Sequence, residues 1–204
     1  VDGSGPLDAG IASVEIRAGR YRGSADAEFG VAKGAVSVKN GATLILDGGE
    51  NNIPNRTVTL AGTGSSREYP ALRVETSSHW NKFNTMSIAL AADATVYTAV
   101  KGEVSLFRYT EVKSSGHTLT LDGVEGSGYR FSSGTRWSSA GGLSLADGLT
   151  LSAANATSTG AWWEYIYNYG GAPLFTFGEN TSFKPDTAAV FGLSSCSGLV
   201  MVVR

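Results

Sequence analysis

Residues 118–123, TLTLDG, set the pattern of the chain: Leu119 and Leu121 alternate with Thr118 and Thr120, and an Asp-Gly pair ends the unit. Period-two alternation places one face of a strand in a core and the other in water. The unit returns at 43–48 as TLILDG, and in looser form at 57–62 (TVTLAG) and 142–148 (GLSLADG). Asp122 and Asp147 are 25 residues apart, and Asp47 and Asp122 are 75 apart, three times that spacing. A strand and turn returning at a fixed period of this size is the mark of a solenoid. Further strands are expected at Val14–Ala18, Val36–Val38, Ala71–Val74, Met86–Leu90, Glu103–Phe107, Leu143–Leu145 and Leu149–Leu151. Asp-Gly, Asn40-Gly41 and Gly-rich stretches between them supply residues that tolerate the positive φ of tight corners. No 3.6-residue period persists over ten positions, so little helix is expected.

The opening, 12-ASVEIRAG-19 followed by 20-RYRG-23, resembles the first rung of pectin-lyase-like right-handed β-helices. The phrases 88-IALAADATVYT-98, 118-TLTLDG-123 and 143-LSLADGLTLSAANAT-157 look like autotransporter-associated β-strand repeats of bacterial surface proteins. This resemblance spans residues 36–157 and brings no catalytic residue with it. It implies an all-β, right-handed parallel β-helix, a solenoid with very little helix, and a role as adhesin, stalk or platform. Residues 1–204 read as one β-helix domain, whole or a piece of a longer solenoid, with 1–35 forming the N-terminal cap and first rung. Residues 24–34 are expected to cover the open end of the coil, because an uncapped first rung exposes core and sheet edge. Leu174–Phe177, Ala189–Leu193 and Leu199–Val203 continue the strand pattern to an apolar end. That end is expected to pack on further rungs, another domain or another subunit.

Composition sharpens this picture. Charged residues make up 17% of the chain, against roughly 25% in an average globular protein. With 27 glycines and 5 prolines, the chain suits many short strands joined by tight turns. A net charge of −2 leaves no basic excess to neutralise phosphates, so no nucleic acid partner is expected. No apolar run approaches the roughly 20 residues of a transmembrane helix. The single cysteine, Cys196, reads as a small core residue. Sequons at Asn55, Asn155 and Asn180 are within chance for a chain rich in Ser and Thr. Val1 in place of a starting Met reads as a mature product or a piece of a longer protein.

Binding chemistry concentrates in two places. Insertions break the beat at 61-AGTGSSREYP-70 and 76-TSSHWNKFNT-85, and long loops of β-helices carry binding residues. In the second insertion, Trp80 is a candidate glycan contact, against the plainer reading that Trp80 and Phe83 cluster over the coil. The other place is 162-WWEYIYNY-169. As a strand, it directs Trp163, Tyr165, Tyr167 and Tyr169 to one face. Those four rings, with Glu164 beside them, are either a stacking platform for sugars or a packed ladder with phenol oxygens reaching water, and packing is the favoured reading. Asp47, Glu50, Asp122, Glu125 and Asp147 are the candidate acids of a polysaccharide lyase or hydrolase. Two D-G-x-E repeats form an acidic ridge if they stack, and solvated turn corners otherwise; the corners are the favoured reading.

His79 and His117 are isolated, and no Cys/His cluster or Ca²⁺-loop motif occurs, so no metal and no cofactor is expected. An ice-binding face requires Thr-x-Thr on successive rungs. Thr57-x-Thr59 and Thr118-x-Thr120 lie far apart in sequence, which sets that reading aside.

No catalytic residue is assigned. The leading expectation is a secreted or surface-displayed module with a structural or adhesive role and partners among glycans or cell-surface components. The alternatives are a carbohydrate-active or glycan-binding β-helix and a phage-type fibre subunit. If the rings of 162–169 are structural, Trp163→Ala and Tyr167→Ala each lower stability by about 3–5 kcal/mol. A melt paired with a glycan pull-down decides this: two stable variants that lose a glycan ligand overturn the packed reading.

Overall fold

The computed structural model describes residues 2–4, 10–23, 34–47, 56–75, 86–107, 110–131, 136–137, 141–153, 174–183, 193–196 and 199–202. Among them every regular element is a strand and none is a helix. In chain order the strands are β1 (Asp2–Ser4), β2 (Ser13–Ile16), β3 (Gly19–Gly23), β4 (Ala35–Val38), β5 (Ala42–Leu46), β6 (Thr57–Gly62) and β7 (Leu72–Val74). Next come β8 (Ser87–Thr98), β9 (Gly102–Phe107), β10 (Glu111–Lys113), β11 (Thr118–Gly123), β12 (Ser127–Phe131), β13 (Arg136–Trp137), β14 (Gly142–Leu145) and β15 (Thr150–Ala153). The last are β16 (Leu174–Phe177), β17 (Ser182–Phe183), β18 (Leu193–Cys196) and β19 (Leu199–Val202).

These strands stack into three parallel ladders. The first runs β1-β3-β5-β7-β8-β11-β14-β16, the second β2-β4-β6-β8-β10-β13, and the third β9-β12-β15-β17. The long strand β8 serves two ladders: Ser87–Leu90 pairs with β6, while Ala94–Thr98 pairs with β11. The result is a β-solenoid of about four turns, as the sequence period requires. Tail strands β18 and β19 depart from this plan and pair antiparallel with each other.

The register places like residues in columns. Along the first ladder Leu44 faces Leu72, Leu72 faces Val96, Val96 faces Leu121, and Leu121 faces Leu145. Along the second, Val14, Val36, Val58, Ile88 and Val112 follow one another. Adjacent strands lie about 4.8 Å apart, so each apolar side chain meets one above and one below. Leu119 and Leu121 are both fully buried, as their alternation with threonine predicts. Each buried aliphatic side chain contributes about 1.5–3 kcal/mol relative to exposure. Tyr129 is also enclosed by the coil; its hydroxyl donates to the carbonyls of Asp122 and Val96, at 2.8 and 3.1 Å. Burial drives its phenol well above the ordinary tyrosine range, so it stays a neutral donor.

Asn40-Gly41 is a turn of the expected kind, with Gly41 at φ 81°. The pair Asp122-Gly123 differs from expectation. Gly123 is the last residue of β11, and a Cβ there would lie 2.3 Å from Ser127 Oγ and 2.7 Å from Thr98 Cγ2. Glycine is needed at that point because two neighbouring corners leave no room, not because the backbone turns left-handed.

Leu121→Asp replaces a buried column member with an unpaired charge between Val96 and Leu145. We expect a loss on the order of 5 kcal/mol, read as a large fall in melting temperature or failure to fold. An unchanged melt would show this register to be wrong.

Candidate functional site

Alternation along the first ladder turns Arg20, Arg22, Thr43, Ile45, Arg73, Thr95, Tyr97, Thr120 and Asp122 away from the coil interior. Yet Thr43 is 0%, Ile45 3%, Tyr97 5% and Asp122 6% exposed. Something covers this outer face, and it is the first insertion, residues 61–70, between β6 and β7. The segment closes on itself through an antiparallel bridge between Ser66 and Tyr69, with the Tyr69 amide donating to the Ser66 carbonyl at 3.1 Å. It then lies across the ladder. The Tyr69 carbonyl accepts a hydrogen bond from Thr43 Oγ1 at 3.0 Å. The Tyr69 ring contacts two guanidinium groups, Arg20 at 3.4 Å and Arg73 at 4.9 Å from its centroid. Arg73 also stands over Tyr97, 5.4 Å from that centroid. Each such cation–π contact is worth about 0.5–1 kcal/mol at an exposed site.

At its tip the segment reaches β11. Arg67 Nε donates to Asp122 Oδ2 at 2.9 Å and Nη2 to Oδ1 at 3.0 Å, a bidentate fork. Asp122 Oδ1 also accepts from the Gly123 amide at 2.7 Å. The solvated-corner reading of Asp122 is therefore corrected: the side chain projects onto the sheet face and is capped by an arginine 55 residues earlier in the chain. The acidic ridge does not form from Asp47 and Asp122 either. In register, Asp122 faces Tyr97, and Tyr97 faces Arg73, while Asp47 lies beyond the end of β5.

Asp47 and Glu75 share the guanidinium of Arg22, with Arg22 Nη1 2.5 Å from Glu75 Oε2. Glu75 Oε1 accepts from Arg73 Nε at 2.5 Å. Arg22 and Arg73 flank Ile45 in register, and the heads of both meet Glu75. Burial pushes the Glu75 carboxyl upward, but hydrogen bonds and charge from Arg73 and Arg22 outweigh it and hold the group below its ordinary range.

Other carboxylates tie neighbouring turns together. Asp93 Oδ1 accepts from the Thr118 amide at 2.8 Å, and Asp147 Oδ1 from the Glu179 amide at 2.8 Å. Glu125 is exposed, and Glu50 lies outside the described residues. Among the described residues no three His, Cys, Asp or Glu side chains converge as a metal site requires. Beyond the covering segment the outer face carries a single file of hydroxyls, Thr95, Thr120, Ser144 and Thr176, on successive strands. The file does not extend to a second threonine column, since Thr118 faces Gly142 and Gly142 faces Leu174.

The glycan candidates Trp80, Trp163, Glu164, Tyr165, Tyr167 and Tyr169 lie outside the described residues, as do His79 and Phe83. The structure brings forward a different group, Arg20, Arg67, Tyr69 and Arg73, that the sequence reading passed over. One signal was available: Arg20 and Arg22 alternate with Tyr21 on a strand, and Arg22 and Asp47 are separated by the 25-residue repeat. Comparison with protein-family models, curated proteins and solved structures finds no match to this chain. Fold and site together define a parallel β-solenoid with an arginine- and tyrosine-braced outer face.

The Arg22–Glu75–Arg73 network sets a pH dependence. A depressed carboxyl contributes stability that is present above its unfolded value of about 4.3 and lost as pH falls through the folded value. We expect the melting temperature of the native chain to exceed that of Glu75→Gln at neutral pH, with the gap closing below about pH 4. Parallel pH profiles would show that Glu75 carries no such linkage.

Proposed function

We propose that this chain is a non-catalytic β-solenoid module with a structural or adhesive role on an extracellular surface, of the kind found in autotransporter-associated β-strand repeats and pectin-lyase-like surface proteins. The observation that supports it is the use of the carboxylates. Asp47, Glu75, Asp93, Asp122 and Asp147 each bind an arginine or an amide of another turn or of the covering segment. A catalytic pair requires at least one carboxyl whose proton is free to move to substrate. Here these groups hold turns in register, which is what a stalk or platform needs.

A glycan-binding role on the same scaffold is supported by the hydroxyl file Thr95, Thr120, Ser144 and Thr176, which repeats every about 4.8 Å. Partners of this class are polysaccharides and cell-surface glycans. No helix among the described residues is long and apolar enough to cross a membrane.

A glycan array followed by a reducing-end and unsaturated-product assay on any polysaccharide bound tests this reading. The expected result is retention without product. Product formation that Asp122→Asn or Asp47→Asn abolishes, while the melt stays intact, would make the chain an enzyme.

A further inference from the structure

We propose that residues 61–70 form an ionic clasp: Arg67 on Asp122 keeps the segment shut, and breaking that pair lifts it and uncovers the sheet face beneath. The proposal is independent of the glycan reading, because it rests on what the segment covers and how it is held.

The base of the segment is fixed. Gly62, at φ 91°, sits where a Cβ would strike the Asn40 side chain, and past Pro70 the chain re-enters the ladder, with the Leu44 amide bonded to the Ala71 carbonyl at 2.9 Å. Gly64, at φ 78°, passes so close to the returning strand that a Cβ would lie 2.2 Å from the Tyr69 carbonyl oxygen. These two glycines flank Thr63 and permit the left-handed bend by which the segment leaves β6.

The tip is held differently. The Arg67 side chain is 68% exposed while that of Asp122 is 9% exposed. Water and salt therefore reach the arginine side of the pair, and mobile ions screen it. Asp122 keeps its bond from the Gly123 amide whether or not Arg67 is present, so the receiving half stays formed when the clasp opens. The stack of Arg20, Tyr69 and Arg73 holds the middle of the segment by contacts that salt weakens less, since they carry dispersion as well as charge.

Opening has a defined consequence. The outward column of the first ladder runs Thr43, Ala71, Thr95, Thr120, Ser144 and Thr176, by the pairings of Leu44 with Leu72 and Leu72 with Val96 and by those of the hydroxyl file. Closed, the segment hides Thr43 beneath the Tyr69 carbonyl. When the segment lifts, the Tyr69 carbonyl leaves Thr43, and the accessible outer column extends past Ala71 to Thr43, two strands toward the N-terminal end.

Trypsin on the full chain provides the test, because it must take the Arg67 side chain into its specificity pocket and cannot while Asp122 holds it. Cleavage of the Arg67–Glu68 bond is followed by mass spectrometry, with cleavage after Arg130 as the internal control. At low salt we expect Asp122→Asn, which keeps the shape and the Gly123 contact, to be cut after Arg67 about tenfold faster than the native chain, since proteolysis follows the open population. Raising salt to about 0.5 M, where the screening length falls to roughly 4 Å, should bring the native rate toward that of the variant. Gly64→Ala, whose Cβ would strike the Tyr69 and Pro70 backbone and displace the segment that carries Arg67, should open the same bond. Equal native and Asp122→Asn rates at low salt would overturn the clasp. So would a rise at Arg130 in step with Arg67, which would mean that the whole coil loosens.

Discussion

The amide that follows each of β5, β7, β8, β11, β14 and β16 donates to a carbonyl one turn earlier: Asp47 to Gly23, Glu75 to Leu46, Ala99 to Val74, Val124 to Thr98, Ala146 to Leu121 and Gly178 to Leu145. The rest of the molecule depends on this rule. A parallel ladder fixes which residue of one turn lies over which residue of the next, and a slip of one position would move every leucine to the outer face. Core columns, buried threonines and inter-turn carboxylates all follow from that register. A coil with parallel stacking also needs no long-range match between unlike surfaces, because each turn is the template for its neighbour.

The ladder explains what sequence reasoning reached and where it stopped. Strands such as Thr118–Gly123 were legible because Leu119 and Leu121 bury while Thr118 and Thr120 do not, a local signal of period two. Stacking was legible because Val96 and Leu121 sit one 25-residue repeat apart and face each other in register. Asp122-Gly123 was misread because its dipeptide is identical in a turn and at the end of a strand. What distinguishes them is Ser127 and Thr98 crowding the glycine, and nothing local in the sequence shows that. The Arg67–Asp122 pair was beyond reach for a related reason: an insertion has no register, so its partner cannot be counted off from the period. The β18–β19 hairpin shares this limit, since its apolar alternation reads the same in antiparallel and parallel pairing. Of the site, the turn-to-turn acids were visible as a spacing, but their role was not.

The outer face of the first ladder carries a problem that the core does not have. Arg20 and Arg22 on β3 and Arg73 on β7, with β5 between the two strands, gather like charge on one side of a sheet. The structure answers with the Tyr69 ring against both Arg20 and Arg73, and with Glu75 bound to both Arg22 and Arg73. The insertion is therefore part of the charge balance of the face as well as its cover. Removing Tyr69 would leave two guanidinium groups without their shared ring.

Burial and exposure are divided unevenly across that cover, and the division decides what it can do. A segment meant only to stabilise the coil would bury apolar area, because exposed ion pairs contribute about 0–1 kcal/mol each. This one ends instead in Ser65, Ser66, Arg67 and Glu68, all exposed, with its single fork laid on a carboxylate that the sheet already orients. Such a contact adds little to the folding free energy and much to where the segment sits, since a bidentate arginine accepts one geometry. The columns beneath would keep the solenoid folded without it. What the fork governs is the state of one sheet face, and that separation of holding the fold from covering the face is what lets the two respond to different conditions.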